Sequence, residues 1–484
     1  MEGADHCHPL LDHLCHVRFG GTVDFETSMI TFLGRSFLVL GLGKTGQAAM
    51  RALKRAGAHV LAWDDAGEKP EHIPWTTLQA VVVSPGIPSS WPYPHPLIER
   101  ARQQGLPLLS DVDVLRLLIP RAFFLAITGT NGKSTTTAWL EHVLKKEETA
   151  PCVMGGNIGL PALDLPLLPE GRYVLELSSY QLELSLFPLY AISILLNITP
   201  DHLTRHGGWE GYVTAKRRIF LNPQAIAIVG VDDLHGQALV KELRKDPKRS
   251  LIPVSGNTVP PQGIGWADGV LIDAHFSSLS QPILEQEEIL QGAHNRQNAA
   301  AVCAAALACG VPLAALISGL RSFSGLVHRQ EEVLSYEYVT FINDSKATNA
   351  ASVIPAFERF RSLYWIAGGR PKEDGLTPLI PYGSCIKKAF LIGEAAQDFA
   401  QVLTRTSISY EIVHTLDKAV PAAFLAAQRE ATPESPQTVL FSPACASFDQ
   451  FRDFEERGNY FKRLVYSLCG ESSKEGEEAV STIK

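Results

Sequence analysis

Phe123-Phe-Leu-Ala-Ile-Thr128-Gly-Thr-Asn-Gly-Lys133-Ser-Thr-Thr-Thr-Ala-Trp139 is the stretch from which the rest of the chain can be read. Its first six residues form an apolar run of strand length. A turn with two glycines follows, and from Ser134 to about Lys146 the pattern is helical. Backbone N–H groups in such a turn, together with the helix N-terminus, make a site for phosphate. Lys133 supplies a cation for β/γ-phosphates and the Ser134 hydroxyl can reach Mg²⁺. The spacing departs from the usual GxxxxGK[ST], because Gly129 stands three residues before Gly132 rather than five. Gly129, Thr130, Asn131, Gly132, Lys133, Ser134 and Thr135 are the candidate phosphate-loop residues.

Outward from this loop, short apolar strands alternate with helices. Upstream, Ser36–Leu40, His59–Trp63 and Ala80–Val83 read as strands, and the first runs into Gly41-Leu-Gly43-Lys44-Thr45-Gly46 and a helix. Downstream, strands are expected at Tyr173–Leu177, Ile192–Asn197 and Ala225–Val229, and a helix at Asn298–Leu307. A last group begins near Leu326, with strands at Tyr338–Ile342, Leu363–Ile366, Ala389–Ile392 and Thr438–Phe441. Strand–helix alternation implies an α/β fold with mostly parallel sheets covered on both faces. At roughly 150 residues per domain, 484 residues suggest about three domains.

Composition narrows the function classes. Hydrophobic residues make up 45% and charged residues 19%, which excludes disorder as the main state. A net charge of −8 offers no basic field for nucleic acid. Eight cysteines, none in a CxxC pair, point to a reducing, cytoplasmic setting. No apolar run of transmembrane length occurs, so no membrane insertion is expected. Residues 1–28 contain His6, Cys7, His8, His13, Cys15 and His16. Their spacing matches no common zinc motif, and the segment reads as a disordered extension with no assigned function. The polar residues 470–484 read as a charged tail.

Several turns at strand ends carry chemistry. Glu176 closes one strand, and Asn197-Ile-Thr-Pro-Asp-His202 follows another. Groups at strand ends of one α/β domain converge on one edge, so Glu176 and His202 are candidate metal ligands near the phosphates. Mg²⁺ prefers oxygen, and a histidine ligand suits Mn²⁺ better. Gly41-x-Gly43-x-x-Gly46 with Asp64 resembles a dinucleotide fingerprint. It fits a nucleotide diphosphate as well as NAD, which keeps an oxidoreductase open at this point. Asn343-Asp-Ser-Lys346-Ala-Thr348-Asn, Gly368-Gly-Arg-Pro-Lys372 and Ser442-Pro-Ala-Cys-Ala-Ser447 follow three further strands and suggest one shared binding edge. Cys445 lacks a His/Asn partner motif, so covalent cysteine catalysis carries little weight.

TGTNGKST, ELSSYQL, NITPDH, HNRQNAAA, HR, DSKATN and SPACASFDQFRDFEERG occur in the order of the Mur ligase family, which the chain resembles from about Arg35 to Cys469. The resemblance implies three domains: a Rossmann-like N-terminal domain (29–115) for a UDP-substrate, a central P-loop ATPase-type domain (116–325), and a C-terminal Rossmann-like domain (326–469) for an amino acid. DSKATN and the long SPACASFDQFRDFEERG block resemble the members that add D-glutamate to UDP-N-acetylmuramoyl-L-alanine through an acyl phosphate, in peptidoglycan precursor synthesis. The resemblance places Lys44, Thr45, Asp64, Ser84, Gly86 and Asn157 at the UDP-substrate. It places Asn295, Asn298, Arg329 and Asp344, with the phosphate loop, at ATP. Ser134, Glu176, His202 and Lys216 would hold two Mg²⁺ ions, with Lys216 carbamylated and Mn²⁺ as an alternative metal. Lys133, His202 and Lys216 are the implied catalytic groups. Lys346, Thr348, Lys372, Ser447 and Phe454 would take D-glutamate. The implied enzyme is a cytoplasmic monomer. The loop Gly368-Gly-Arg-Pro-Lys-Glu-Asp departs from the family's usual GGxxK followed by a small residue.

Overall fold

The computed structural model describes residues 32–67, 69–147, 149–277, 281–285, 293–371 and 375–470. Lys372 and the segments 1–28 and 471–484 lie outside the described residues. The chain divides into two compact units at Phe323/Ser324. Among the described residues, the first unit holds two sheets and the second holds one.

The first sheet comprises β1 (Ser36–Leu40), β2 (His59–Trp63), β3 (Leu78–Val83) and β4 (Leu108–Leu109), in the order β2-β1-β3-β4 and all parallel. Its strands are near-continuous apolar runs because helices cover both faces. The helix Lys44–Arg55 buries Ala48, Ala49, Ala52 and Leu53 as one stripe and leaves its polar residues outside.

The second sheet comprises β5 (Phe123–Thr128), β6 (Cys152–Gly156), β7 (Arg172–Glu176), β8 (Ile192–Leu195), β9 (Ile226–Gly230), β10 (Leu251–Val254), β11 (Ile264–Ala267), β12 (Val270–Asp273) and β13 (Gln281–Glu285). Its order is β13-β12-β11-β10-β9-β8-β5-β7-β6. Strands from β6 to β11 pair parallel, and β11, β12 and β13 form an antiparallel edge. The chain leaves β5 for the edge strand β6, returns to β7 beside β5, and then crosses to β8 on the other side of β5. Loops that diverge in this way open a crevice at the strands' carboxyl ends. The phosphate loop and the Asn197 turn meet there, with Thr130 N–H donating to the Asn197 carbonyl at 3.0 Å.

The third sheet comprises β14 (Glu331–Tyr336), β15 (Val339–Asn343), β16 (Leu363–Gly368), β17 (Ile386–Ile392), β18 (Ser409–His414) and β19 (Gln437–Phe441), in the order β14-β15-β19-β16-β17-β18. Only the β14–β15 pair is antiparallel. Because β15, β19 and β16 are parallel neighbours, the three turns that follow them share one edge. The α/β expectation agrees with this architecture. Tyr338, expected as the first residue of a strand, instead sits in a turn with φ +63°.

Candidate active site

The phosphate loop is shaped by what a side chain at Gly132 would meet. Gly132 caps the helix Lys133–Lys145 in the left-handed region, with φ +82°. A Cβ there would lie 2.5 Å from Asn298 Oδ1, so the loop backbone packs directly on the Ala-rich helix Ala293–Ala308. Asn298 is thereby brought to the loop, and its Nδ2 donates to Asn295 Oδ1 at 3.1 Å. Ser134 and Thr135 are buried in the first helical turn, where orphan N–H groups lie.

Two lysine ammoniums converge on one carbonyl. Lys133 Nζ donates to the Gly129 and Thr130 carbonyls at 2.9 and 2.8 Å. Lys216 Nζ donates to the same Gly129 carbonyl at 2.7 Å. Lys216 projects from the helix Trp209–Arg217 and is only 2% exposed. Burial and then the Lys133 charge push its amine well below the ordinary lysine range, against the weaker pull of Asp201 and Glu176.

Glu176 ends β7 and is 2% exposed. Its Oε1 accepts from Asn157 Nδ2 at 2.7 Å, while its buried Oε2 has no hydrogen-bond partner. A buried carboxylate oxygen left without a donor is costly, and a cation is the natural partner for it. His202 begins its short helix with φ +50°, half-exposed, its Nε2 3.4 Å from Asp201 Oδ2. Desolvation and the nearby His206, Lys133 and Lys216 lower its pKa, against Asp201. Among the described residues, no three His, Cys, Asp or Glu side chains gather as a ready-made metal site. Glu176, Ser134 and His202 offer a carboxylate, a hydroxyl and an imidazole, donor types compatible with a divalent cation.

Sequence reasoning missed two supports of this loop. Asn197 clamps Asn131 in both directions, accepting from its N–H at 2.9 Å and donating to its carbonyl at 3.2 Å. The Tyr212 hydroxyl lies 3.0 Å from Thr130 Oγ1, and the Lys216 ammonium sits 4.9 Å from the centre of the Tyr212 ring. The i, i+4 spacing of Tyr212 and Lys216 on one helix face was the available signal.

At the first sheet, Gly46 lets the helix Lys44–Arg55 abut the strand end, since a Cβ there would fall 1.8 Å from the Gly41 carbonyl. Ser84 Oγ donates to that carbonyl at 2.7 Å. Asp64 accepts from Leu42 N–H at 2.7 Å and Ala66 N–H at 3.0 Å, so its carboxylate fixes the Gly-rich turn. Lys44 and Gly86 are exposed and Thr45 half-buried at the same strand ends.

In the second unit, Asp344 is 3% exposed and accepts from Ser442 Oγ at 2.6 Å and Gln330 N–H at 3.2 Å. Burial lifts its carboxyl to about 7, opposed by those hydrogen bonds and by the Arg329 charge. The Lys346 ammonium lies 5.5 Å from the centre of the Phe454 ring. Ser345 Oγ donates to the Phe454 carbonyl at 2.8 Å, and Arg457 Nη2 donates to the Ser345 carbonyl at 2.8 Å. Arg329, Asp344, Lys346 and Phe454 are thus gathered at one edge. Thr348 is half-buried in the turn after Lys346, and Ser447, 2% exposed, follows β19.

Comparison with known proteins shows the family. Residues 127–306 match the Mur ligase middle domain. The "UDP-N-acetylmuramoylalanine--D-glutamate ligase" of Paramagnetospirillum magneticum is 47% identical, over 90% of this chain and 97% of its own length. That of Rhodospirillum rubrum is 44% identical, over 90% of this chain and 96% of its own. The solved UDP-N-acetylmuramate-alanine ligase MurC of Thermotoga maritima shares the fold with a TM-score of 0.54 at 18% identity, covering 90% of this chain and 99% of that one. The chain belongs to the Mur ligase family, in the branch of the UDP-N-acetylmuramoylalanine--D-glutamate ligases.

Proposed function

We propose that this protein joins D-glutamate to UDP-N-acetylmuramoyl-L-alanine at the expense of ATP, as a step of peptidoglycan precursor synthesis. The observation that carries this reading is the identity of 44–47%, across nine-tenths of the chain, to relatives bearing that activity in their names. A carboxylate is a poor electrophile because its oxygen leaves poorly. Its oxygen therefore first attacks the γ-phosphorus of ATP, ADP departs, and an acyl phosphate forms. The D-glutamate nitrogen then attacks the acyl carbon. The tetrahedral adduct loses phosphate, and the nitrogen's proton passes to solvent or to His202.

The residues divide this work. Gly129, Thr130, Asn131, Gly132, Ser134 and Thr135 cradle the phosphates, and Lys133 turns from its own loop carbonyls toward them. Asn295, Asn298, Arg329 and Asp344 serve the rest of ATP. Lys44, Thr45, Asp64, Ser84 and Gly86 hold the uridine diphosphate, and Asn157, beside Glu176, meets the reacting end. Lys346, Thr348, Lys372, Ser447 and Phe454 take D-glutamate. Burial lowers the Lys216 pKa and so favours the neutral amine, the form that adds CO₂ with loss of a proton to give an anionic carbamate. With that carbamate, Ser134, Glu176 and His202 would hold two Mg²⁺ ions, with Mn²⁺ able to substitute. Bound Mg²⁺ would offset the repulsion between carboxylate and γ-phosphate. The segments 29–115, 116–325 and 326–469 would act as the nucleotide-sugar, ATP and amino-acid domains. The enzyme works in the cytoplasm as a monomer, without nucleic-acid partners or membrane insertion; no helix among the described residues is long and apolar enough to cross a membrane.

The chemistry is tested by isotope transfer. With ¹⁸O in the substrate carboxylate, one labelled oxygen should appear in the released phosphate and none in ADP. Unlabelled phosphate would exclude the acyl phosphate.

A further inference from the structure

Glu183, a carboxylate outside the groups assigned above, gathers donors from two separate elements. It lies near the end of the helix Ser179–Leu184, its side chain 17% exposed. Oε1 accepts from Ser89 Oγ at 2.6 Å and Ser90 Oγ at 2.5 Å. Oε2 accepts from Arg205 Nη1 at 3.0 Å and lies 3.3 Å from His206 Nδ1. Burial alone would raise this carboxyl, but hydrogen bonds from His206, Ser89 and Ser90 and the Arg205 charge outweigh it and hold it at about 2. Glu183 is therefore anionic at any working pH.

The two sets of donors lead to two ends of the site. Ser89 and Ser90 close the loop after β3. That loop begins at Ser84, bonded to the Gly41 carbonyl, and its Ile87 packs over Gly41. Arg205 and His206 belong to the short helix Leu203–His206, directly after His202. Arg205 also donates to the Ile87 carbonyl at 3.2 Å, and its guanidinium lies 5.0 Å from the centre of the Tyr180 ring. The Tyr180 ring is in turn 5.1 Å from that of His202. The Trp91 indole lies against Gly207 at the end of the same helix.

We propose that Glu183 is a positioning residue that ties the Ser84–Ser90 loop to the turn bearing His202, so that filling the nucleotide-sugar end of the site orders His202 for the reaction. This rests on the reading above, in which that loop holds the uridine diphosphate and His202 serves the reacting centre. Two anion-binding serines at one end and an ion pair at the other make the carboxylate a rigid strut between them.

Glu183→Gln preserves shape and one acceptor but removes the charge facing Arg205 and His206. In steady-state phosphate release, the KM for UDP-N-acetylmuramoyl-L-alanine should rise and kcat should fall, each about tenfold, while the KM for ATP stays within about twofold. The double variant Ser89→Ala/Ser90→Ala, which leaves the helix Ser179–Leu184 intact, should raise the same KM. Hydrogen exchange should accelerate in both 84–92 and 203–207 in either variant. Unchanged kinetics, equal losses for all three substrates, or faster exchange only in the mutated segment would overturn the proposal. A wild-type enzyme without turnover would instead strike the functional reading, and the exchange pattern would still decide the linkage.

Discussion

Lys216 and Lys133 share the Gly129 carbonyl, and one of the two is almost wholly buried. Burial first, and the Lys133 charge second, push the Lys216 amine well below the ordinary lysine range. An amine shifted in that direction is easier to carbamylate, and the carbamate would join the unpartnered Glu176 oxygen in offering a divalent cation anionic ligands. Lys216→Ala should therefore lower turnover at least about 100-fold, as loss of one preorganised charge-stabilising group does. Short carboxylates such as acetate should restore part of it by supplying the missing oxygen. Near-wild-type turnover in the variant would remove Lys216 from the mechanism. Lys216 was singled out only by the resemblance to the Mur ligases, and its neighbour Tyr212 was not marked at all. Asn197 reaches Asn131 across 66 positions, and no local pattern announces a side chain that clamps a distant loop.

Element geometry decides what the loops can carry. The turn into the helix Lys133–Lys145 depends on Gly132, whose left-handed φ and close approach to Asn298 exclude a side chain. Gly132→Ala should cost about 1–2 kcal/mol for the backbone alone. ATP turnover should fall far more than the melting temperature, because Asn298 and the loop must separate. A variant with unaltered KM for ATP would contradict this packing. The same conformational logic shows why some elements were readable and others were not. The β11–β12 hairpin turns on Asp268-Gly269, both at positive φ, which is the commonest short hairpin signal; it was present in the sequence and overlooked. The β14–β15 hairpin turns on Glu337-Tyr338, at φ +48° and +63°, with no Gly, Asn or Asp. Nothing in that dipeptide marks a turn, so Tyr338 reads as strand. The strand β5 reads with its observed bounds, and β8 and β16 with their observed starts, because burial on both faces leaves an uninterrupted apolar run.

Across the molecule, the α/β alternation was visible because most of the parallel strands are followed by a turn and a helix, and parallel pairing then sends those turns to common edges. Strand order was not visible, since the placing of β19 between β15 and β16 depends on contacts nearly 100 residues apart in sequence. A net charge of −8 offers anionic ligands no attractive overall field, so in the proposed function a few placed lysines and arginines would meet them. Which amino acid those groups receive decides the reaction. Phosphate release from ATP, measured with UDP-N-acetylmuramoyl-L-alanine and a panel of D-glutamate, L-alanine and meso-diaminopimelate, tests it most directly. Phosphate should be released only when D-glutamate and the nucleotide-sugar are present together; equal release with L-alanine or meso-diaminopimelate, or none with D-glutamate, would contradict the proposed function.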